Sequence, residues 1–219
     1  MNRKQIAVDV VSDVVCPWCF LGSKRLERAI AALPQAAVEV RWRPFQLDPT
    51  VPKAGLDREA YMLGKFGSKE RIDAAHARLE EMGREDGIDF RFDAIRIAPN
   101  TLDAHRLIRW AAAAGAAVQT AVVRELFSSY FEKGADIGDP QVLIDSARTA
   151  GMDAAQVETL LPTDADKDGV WQEIEMAGQL GIRGVPCFII AGKYAVMGAQ
   201  PVEVLLDALK KAAEEPEGM

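Results

Sequence analysis

The sequence has little of what several large functional classes require. Three cysteines in 219 residues are too few for a framework of structural disulfides, which predicts a protein of a reducing compartment. The net charge of −7 disfavours nucleic acid and anionic membranes as main partners, because both bind basic surfaces. No apolar run approaches the roughly 20 residues of a membrane-spanning helix, so we expect no membrane partner.

The N-terminus also lacks the pattern of a secretory signal peptide. Met1-Asn2-Arg3-Lys4 leads into an alternating segment rather than into an apolar core with a cleavage site. Together with the scarcity of cysteine, this predicts a cytoplasmic protein. Hydrophobic residues make up 49% of the chain, which supplies a core for one large domain or two small ones.

The chain is organised around Cys16-Pro17-Trp18-Cys19. A β-branched apolar run at 5–11 precedes this motif and a helical pattern follows it, so the motif lies where a strand turns into a helix. On a helix the two thiols are one turn apart on the same face and can form or break a disulfide. The free N–H groups of a helix N-terminus stabilise a thiolate. We therefore predict that Cys16 is the nucleophile and that Cys19 is the resolving thiol.

The two residues between the cysteines fit this interpretation. Pro17 suits the first helical turn, because it lacks only an N–H that would be unpaired there. Trp18 is predicted at the surface beside the thiols, where an indole offers apolar contact to a substrate. A zinc half-site is the alternative, but zinc needs four ligands, and the sequence has neither a second Cys-x-x-Cys nor a nearby histidine pair.

The rest of the chain predicts one α/β unit that is interrupted by helices. Residues 5–47 form a strand-helix-strand pattern with parallel strands. Strands are predicted at 185–190 and 194–197, and a final helix runs from Pro201 to Glu214.

Between these two parts, helical patterns dominate from Asp57 to about Leu180. The alternation at 88–92 predicts one short extended segment within them. The interruption is too long and too regular to be a loop. We predict an α/β domain formed by 1–52 and 181–219, with an inserted helical subdomain at 53–180.

Asp13 and Cys187 each have two interpretations. Asp13, three residues before Cys16, either caps the helix or relays a proton to the resolving thiol, and capping is the commoner use. Cys187 directly follows Pro186 and is either a third redox thiol or a core residue. We favour the core, because strand residues alternate faces and Cys187 points away from the cysteines if Pro186 faces them.

Asn100 and Thr101 precede a helical pattern and are predicted as helix caps, although a cap that points into a cleft also contacts substrate. His76 and His105 are the two histidines of the chain. We predict His76 on a solvated helix face. We favour for His105 an ordinary surface or core position over a functional one.

Four segments, spread over most of the chain, resemble one known family. They are Ser12-Asp13-Val14-Val15-Cys16-Pro17-Trp18-Cys19, Asn100-Thr101-Leu102-Asp103-Ala104-His105-Arg106, Gly184-Val185-Pro186 and Gly198-Ala199-Gln200-Pro201. With the order of elements, they resemble the thioredoxin fold. More narrowly, they resemble the DsbA-like proteins that carry an inserted helical domain, closest to the FrnE-like cytoplasmic branch.

This resemblance implies an α/β thioredoxin-like fold, in which β-α-β and β-β-α units build a mixed four-stranded sheet with a large all-helical insertion. It implies a thiol-disulfide oxidoreductase or protein disulfide isomerase with Cys16, Cys19 and Pro186 as catalytic residues. It also implies a cis peptide bond before Pro186, beside the cysteines, where the backbone of Val185 pairs with an extended substrate.

The resemblance further implies that the helical insertion covers one side of the site and that the helix carrying His105 faces it, so that Asn100, Thr101 and His105 are candidate substrate contacts. Disulfide-containing proteins or low-molecular-weight thiols are the expected partners. We expect no metal and no cofactor other than the redox-active disulfide, with glutathione as a candidate co-substrate.

Two other functions stay open at this stage. Glutathione-dependent enzymes of the kappa transferase or 2-hydroxychromene-2-carboxylate isomerase type share the inserted topology. They carry Ser in place of the first cysteine, so the intact motif at Cys16 counts against them. A non-catalytic metal-binding or interaction module that uses the three thiols is the third hypothesis.

Overall fold

A computed structural model describes residues 5–214, so Met1 to Lys4 and the last five residues lie outside the described part. The strands are β1 (Gln5–Ser12), β2 (Ala37–Pro44), β3 (Leu56–Asp57), β4 (Ile97–Ala98), β5 (Cys187–Ile190) and β6 (Tyr194–Met197). The helices are α1 (Pro17–Ala31), α2 (Arg58–Phe66), α3 (Lys69–Asp86), α4 (Leu102–Ala113), α5 (Ala116–Phe131), α6 (Pro140–Thr149), α7 (Ala154–Leu160), α8 (Lys167–Gln179) and α9 (Val202–Glu214).

The main sheet has the strand order β2-β1-β5-β6. β1 runs parallel to β2 and antiparallel to β5, and β5 runs antiparallel to β6. A helix joins the parallel pair and a tight turn joins the antiparallel pair, as strand geometry requires. Helices α2 to α8 all lie in the chain between β2 and β5. The predicted thioredoxin-like fold with a mixed four-stranded sheet is therefore confirmed.

The two faces of the sheet pack into different cores. Val10 points into the larger core, which also contains Cys19 of α1 and the apolar face of α9. Val11 and Cys187 point the other way, into a small cluster with Ala177 of α8. Because successive strand residues alternate faces, Cys187 lies on the side of the sheet opposite to Cys19, as the alternation predicted.

The segment 88–92 forms no strand, which corrects the prediction made from its alternation. Phe90 and Phe92 are buried, and their rings stack with centroids 4.9 Å apart. Phe90 also meets the ring of Phe131 on α5 edge to face at 5.5 Å. The alternation therefore reflects packing against helices rather than strand pairing. The described residues contain instead a two-stranded pair, β3 with β4, that the sequence did not predict.

A buried arginine fixes part of the helical insertion. Arg106 of α4 is fully buried and forms an ion pair with Asp103 at 2.7 Å. Its guanidinium also donates to backbone carbonyls at and beyond the end of α7, those of Leu160, Leu161, Thr163 and Ala165. These bonds satisfy the unpaired carbonyls of a helix C-terminus and hold the α7–α8 connection against α4.

Candidate active site

Cys16 is the N-cap residue of α1. Its backbone is extended (φ −94°, ψ 112°), and its carbonyl accepts from the N–H groups of Cys19 at 3.0 Å and Phe20 at 3.3 Å. Pro17 occupies the first helical position, as predicted from its missing N–H. The Cys16 side chain therefore lies at the positive end of the helix dipole, where negative charge is stabilised. Cys16 and Cys19 are both free thiols in this structure.

The loop before β5 lies against Cys16. The peptide bond between Val185 and Pro186 is cis, and the Cys16 thiol is 3.9 Å from the Val185 carbonyl oxygen. Gly22 of α1 permits this approach, because a Cβ at this position would lie 3.0 Å from the Pro186 ring and 2.9 Å from the Phe188 ring. The absence of a side chain at Gly22 thus brings the Pro186 loop close to the first turn of α1.

Cys19 lies one turn deeper and is almost fully buried. Burial raises the pKa of Cys19 well above its usual value, and the neighbouring Cys16 raises it further. The Ser12 hydroxyl and the Asp13 backbone N–H both face the Cys19 sulfur, and each lowers the pKa of this thiol by a smaller amount. Ser12 is itself buried, and apart from the Cys19 sulfur its hydroxyl has no hydrogen-bond partner among the described residues. Cys19 is therefore a protonated thiol at neutral pH, with a buried hydroxyl beside it.

A cavity of about 520 Å³ opens beside Cys16. Its lining includes Trp18, which is half-buried rather than fully exposed and lies 5.9 Å from the Arg78 guanidinium. The other aromatic lining residues are Tyr61, Phe66, His76, Phe92 and Tyr130. The cationic lining residues are Arg58, Lys65 and Arg78. The volume is in the range of small-molecule sites in proteins.

Asp13 does not cap α1, which corrects the favoured interpretation of this residue. Its side chain is 1% exposed, and Oδ2 accepts from the Leu47 N–H at 2.8 Å. Oδ1 lies 3.4 Å from His105 Nε2 and has no hydrogen-bond partner among the described residues. The backbone of Asp13, rather than its side chain, contacts the motif: its carbonyl accepts from the Cys16 N–H at 3.0 Å, and its N–H acts on the Cys19 sulfur. The carboxylate is held by the segment after β2 instead of the helix.

Asn100, Thr101 and His105, the predicted substrate contacts on and before α4, have three different environments in the structure. Thr101 lines the cavity, but its side chain makes no capping bond to α4. Asn100 Oδ1 accepts from the Leu102 N–H at 2.9 Å, as an Asx turn does. His105 is buried outside this cavity, and its Nε2–H donates to the Phe45 carbonyl at 2.9 Å. Only Thr101 is thus placed to meet a molecule bound beside Cys16.

His76 was predicted on a solvated face and instead lines the cavity. Its ring stacks on Phe92 with centroids 4.1 Å apart. Burial and the nearby Arg58 lower the pKa of His76. Burial and Asp48 raise the pKa of Tyr61 to about 12. In the sequence, Tyr61 and His76 are marked only by their positions on two amphipathic helices. The inner face of such a helix more often packs in a core than lines a functional site.

No group of three or more His, Cys, Asp or Glu side chains in residues 5–214 is arranged to hold a metal ion. Within the same residues, no helix is long and apolar enough to cross a membrane. Cys187 packs in the α8 cluster, on the side of the sheet opposite to Cys19.

Comparisons with known proteins find relatives that match nearly the whole chain. The chain is 28% identical over 207 residues to the uncharacterised protein YwbO of Bacillus subtilis, covering 93% of this chain and 96% of that one. Its structure matches that of a probable DsbA oxidoreductase from Streptomyces coelicolor with a TM-score of 0.88 and 33% identity, covering 98% of this chain and 92% of the other. A 2-hydroxychromene-2-carboxylate isomerase shares the fold, with a TM-score of 0.68, 18% identity and coverage of 94% and 95%.

The DSBA-like thioredoxin domain family matches residues 7–210, which is nearly the whole described chain. This match covers β1 from residue 7 onward, α1 with the two cysteines, the helical insertion and the Pro186 loop. The chain belongs to the DsbA-like thioredoxin domain family.

Proposed function

We propose that the protein is a thiol-disulfide oxidoreductase or disulfide isomerase whose redox centre is Cys16-Pro17-Trp18-Cys19. The position of Cys16 carries the proposal. Its thiol lies at the N-terminus of α1 and lines an open cavity, with a second thiol one turn behind it. A helix N-terminus stabilises the thiolate, which is the attacking form in disulfide exchange.

The two cysteines have different roles in this proposal. The Cys16 thiolate attacks one sulfur of a substrate disulfide and forms a mixed disulfide. The buried Cys19 thiol then loses its proton and displaces the substrate from Cys16, leaving a Cys16–Cys19 disulfide. The carbonyl of Val185, held beside Cys16, is a backbone acceptor for an extended substrate segment. Pro186 shapes this loop, and Trp18 contributes apolar contact.

Disulfide-containing proteins or low-molecular-weight disulfides are the proposed substrates, and the cysteine pair itself is the only redox group required. We propose that the protein works in the cytoplasm, where thiol reductants regenerate the dithiol and where glutathione is a candidate co-substrate.

A trapping experiment tests the proposed roles. Reduced protein is mixed with insulin or oxidised glutathione, and the products are identified by mass spectrometry. The Cys19→Ser variant should accumulate a mixed disulfide at Cys16, because the resolving thiol is absent. Wild-type protein should pass on to the intramolecular disulfide, and Cys16→Ser should form neither. Exchange activity that persists in Cys16→Ser would contradict the proposal.

A glutathione-dependent isomerase or transferase is the second candidate. The size of the cavity and the shared fold with the 2-hydroxychromene-2-carboxylate isomerase favour it. Such an enzyme activates bound glutathione without forming a disulfide, so Cys19→Ser should keep most of its activity. The oxidoreductase proposal requires that this variant stop at the mixed disulfide.

A further inference from the structure

Arg58 is an unpaired cation in the wall of the cavity beside Cys16. It is the first residue of α2 and is half-buried. Its backbone N–H donates to the Arg96 carbonyl, but no carboxylate or other acceptor binds its guanidinium among the described residues. Since its guanidinium forms no ion pair within the described residues, it is available to an anion that enters the cavity.

The other charges of the cavity leave this position open to an anion. Lys65 and Arg78 are exposed, lie near the rings of Tyr61 and Trp18, and form no ion pair among the described residues. Asp48 is already bound by the Thr50 hydroxyl and by the Tyr61 hydroxyl at 3.1 Å. The remaining acid, Asp13, is 1% exposed. The cations thus exceed the acids that face the open part of the cavity, which favours a negatively charged ligand.

The rest of the lining fits the body of a small molecule. Leu47, Val51 and Met62 add aliphatic surface to the aromatic rings, and the cavity holds about 520 Å³. An apolar enclosure with a small number of charged groups is the usual composition of a small-molecule site. Cys16 lies in the same wall, so a molecule bound here meets the reactive sulfur.

We propose that this cavity binds small disulfides that carry a carboxylate or another anionic group, and that Arg58 binds this group. The inference rests on the proposed function, since it assigns a substrate class to the same site. Arginine suits the role, because its planar fork donates two parallel hydrogen bonds to a carboxylate.

The reaction requires only the reduced protein and one substrate molecule. The Cys16 thiolate forms a bond to one sulfur as the substrate S–S bond breaks, and the first leaving thiolate takes a proton from water. The Cys19 thiol then releases its proton and attacks the Cys16 sulfur, which displaces the second thiolate. Two electrons pass from the cysteine pair to the substrate, and a Cys16–Cys19 disulfide remains.

The test compares two aromatic disulfides in single-turnover reactions of reduced protein. Dithiobis(nitrobenzoate) carries one carboxylate on each ring, whereas dithiodipyridine is uncharged at neutral pH. In Arg58→Met, the rate constant for the first thiol released should fall by about tenfold or more with the carboxylated disulfide. It should stay within about twofold with the uncharged one, which also serves as the control for folding.

Arg71→Met removes the same charge from an exposed position on α3 that does not line the cavity, and it should leave both rates within about twofold. In wild type, added salt should slow only the carboxylated disulfide. Equal losses with both disulfides in Arg58→Met, an unchanged carboxylated rate or no salt dependence would overturn the inference. If wild type releases no thiol from either disulfide, the proposed function fails as well.

Discussion

Cys16 and Cys187 are both buried, with exposed fractions of 4% and 1%, but they lie in different environments. Cys16 lies at a helix N-terminus, faces a cavity and contacts a backbone carbonyl. Cys187 lies on a strand among Val11, Ala177 and Ile182, and burial raises its pKa. The exposed fraction alone therefore does not distinguish the proposed nucleophile from a thiol that packs in the core. The two thiols differ in that only Cys16 lies at the end of a helix and faces a space that a second sulfur can enter.

The largest effect should come from replacing Cys16, and replacement of Cys187 is the matched control. Cys16→Ser should lower the rate of the first thiol release from dithiobis(nitrobenzoate) by at least about a hundredfold, because the nucleophile is lost. Cys187→Ala should change this rate by less than about twofold. Stopped-flow absorbance measures both. A similar fall in rate in both variants would contradict the claim that only Cys16 attacks the disulfide.

The pH dependence of the two release steps sharpens the comparison within the motif. Cys19 has a raised pKa and must lose a proton before it can resolve the mixed disulfide. Below that pKa, the thiolate fraction and the second-phase rate should rise about tenfold per pH unit. The first phase does not require deprotonation of Cys19, so its pH profile should differ from that of the second phase. Parallel profiles for the two phases would contradict this assignment.

Ser12 should affect only the second step. Its buried hydroxyl lies beside the Cys19 sulfur and is otherwise unpaired, so a developing thiolate would give it an acceptor. Ser12→Ala should slow the second thiol release by about tenfold and leave the first unchanged. Ser146→Ala removes a buried hydroxyl that donates to the Val142 carbonyl, far along the chain on α6, and should change neither phase. Slowing of both phases in Ser12→Ala would indicate a merely structural role.

Much of this arrangement could be predicted from the sequence, because local signals were strong. Short-range patterns predict the strand-to-helix junction, the position of Pro17 in the first helical turn and the placement of Cys187 on the face of the sheet opposite to Cys19. The burial of His76 and the open position of Arg58 could not be predicted, since both depend on how α2 and α3 pack against the Cys16 loop. Asp13 was misassigned for the same reason, because its acceptor role toward Leu47 depends on a contact 34 residues away.

The smallest predicted effect concerns Gly22, which lets the Pro186 loop reach Cys16. In Gly22→Ala the new Cβ would crowd Pro186 and Phe188, and the free energy of unfolding should fall by about 1–3 kcal/mol. Gly64→Ala in α2 meets nothing within 4 Å and should be neutral or stabilising by up to about 1 kcal/mol. Denaturant unfolding measures both. A stable Gly22→Ala protein would show that the close approach is not needed.

The rate of Cys16 alkylation tests the central claim most directly. Reduced protein is treated with iodoacetamide at neutral pH, and modification of Cys16 and Cys187 is quantified over time by peptide mass spectrometry. Cys16 should react much faster than Cys187, because Cys16 lies at the N-terminus of α1 and lines an open cavity, whereas Cys187 is buried in an apolar cluster on the other face of the sheet. Equal modification of the two thiols, or no modification of Cys16, would contradict the account.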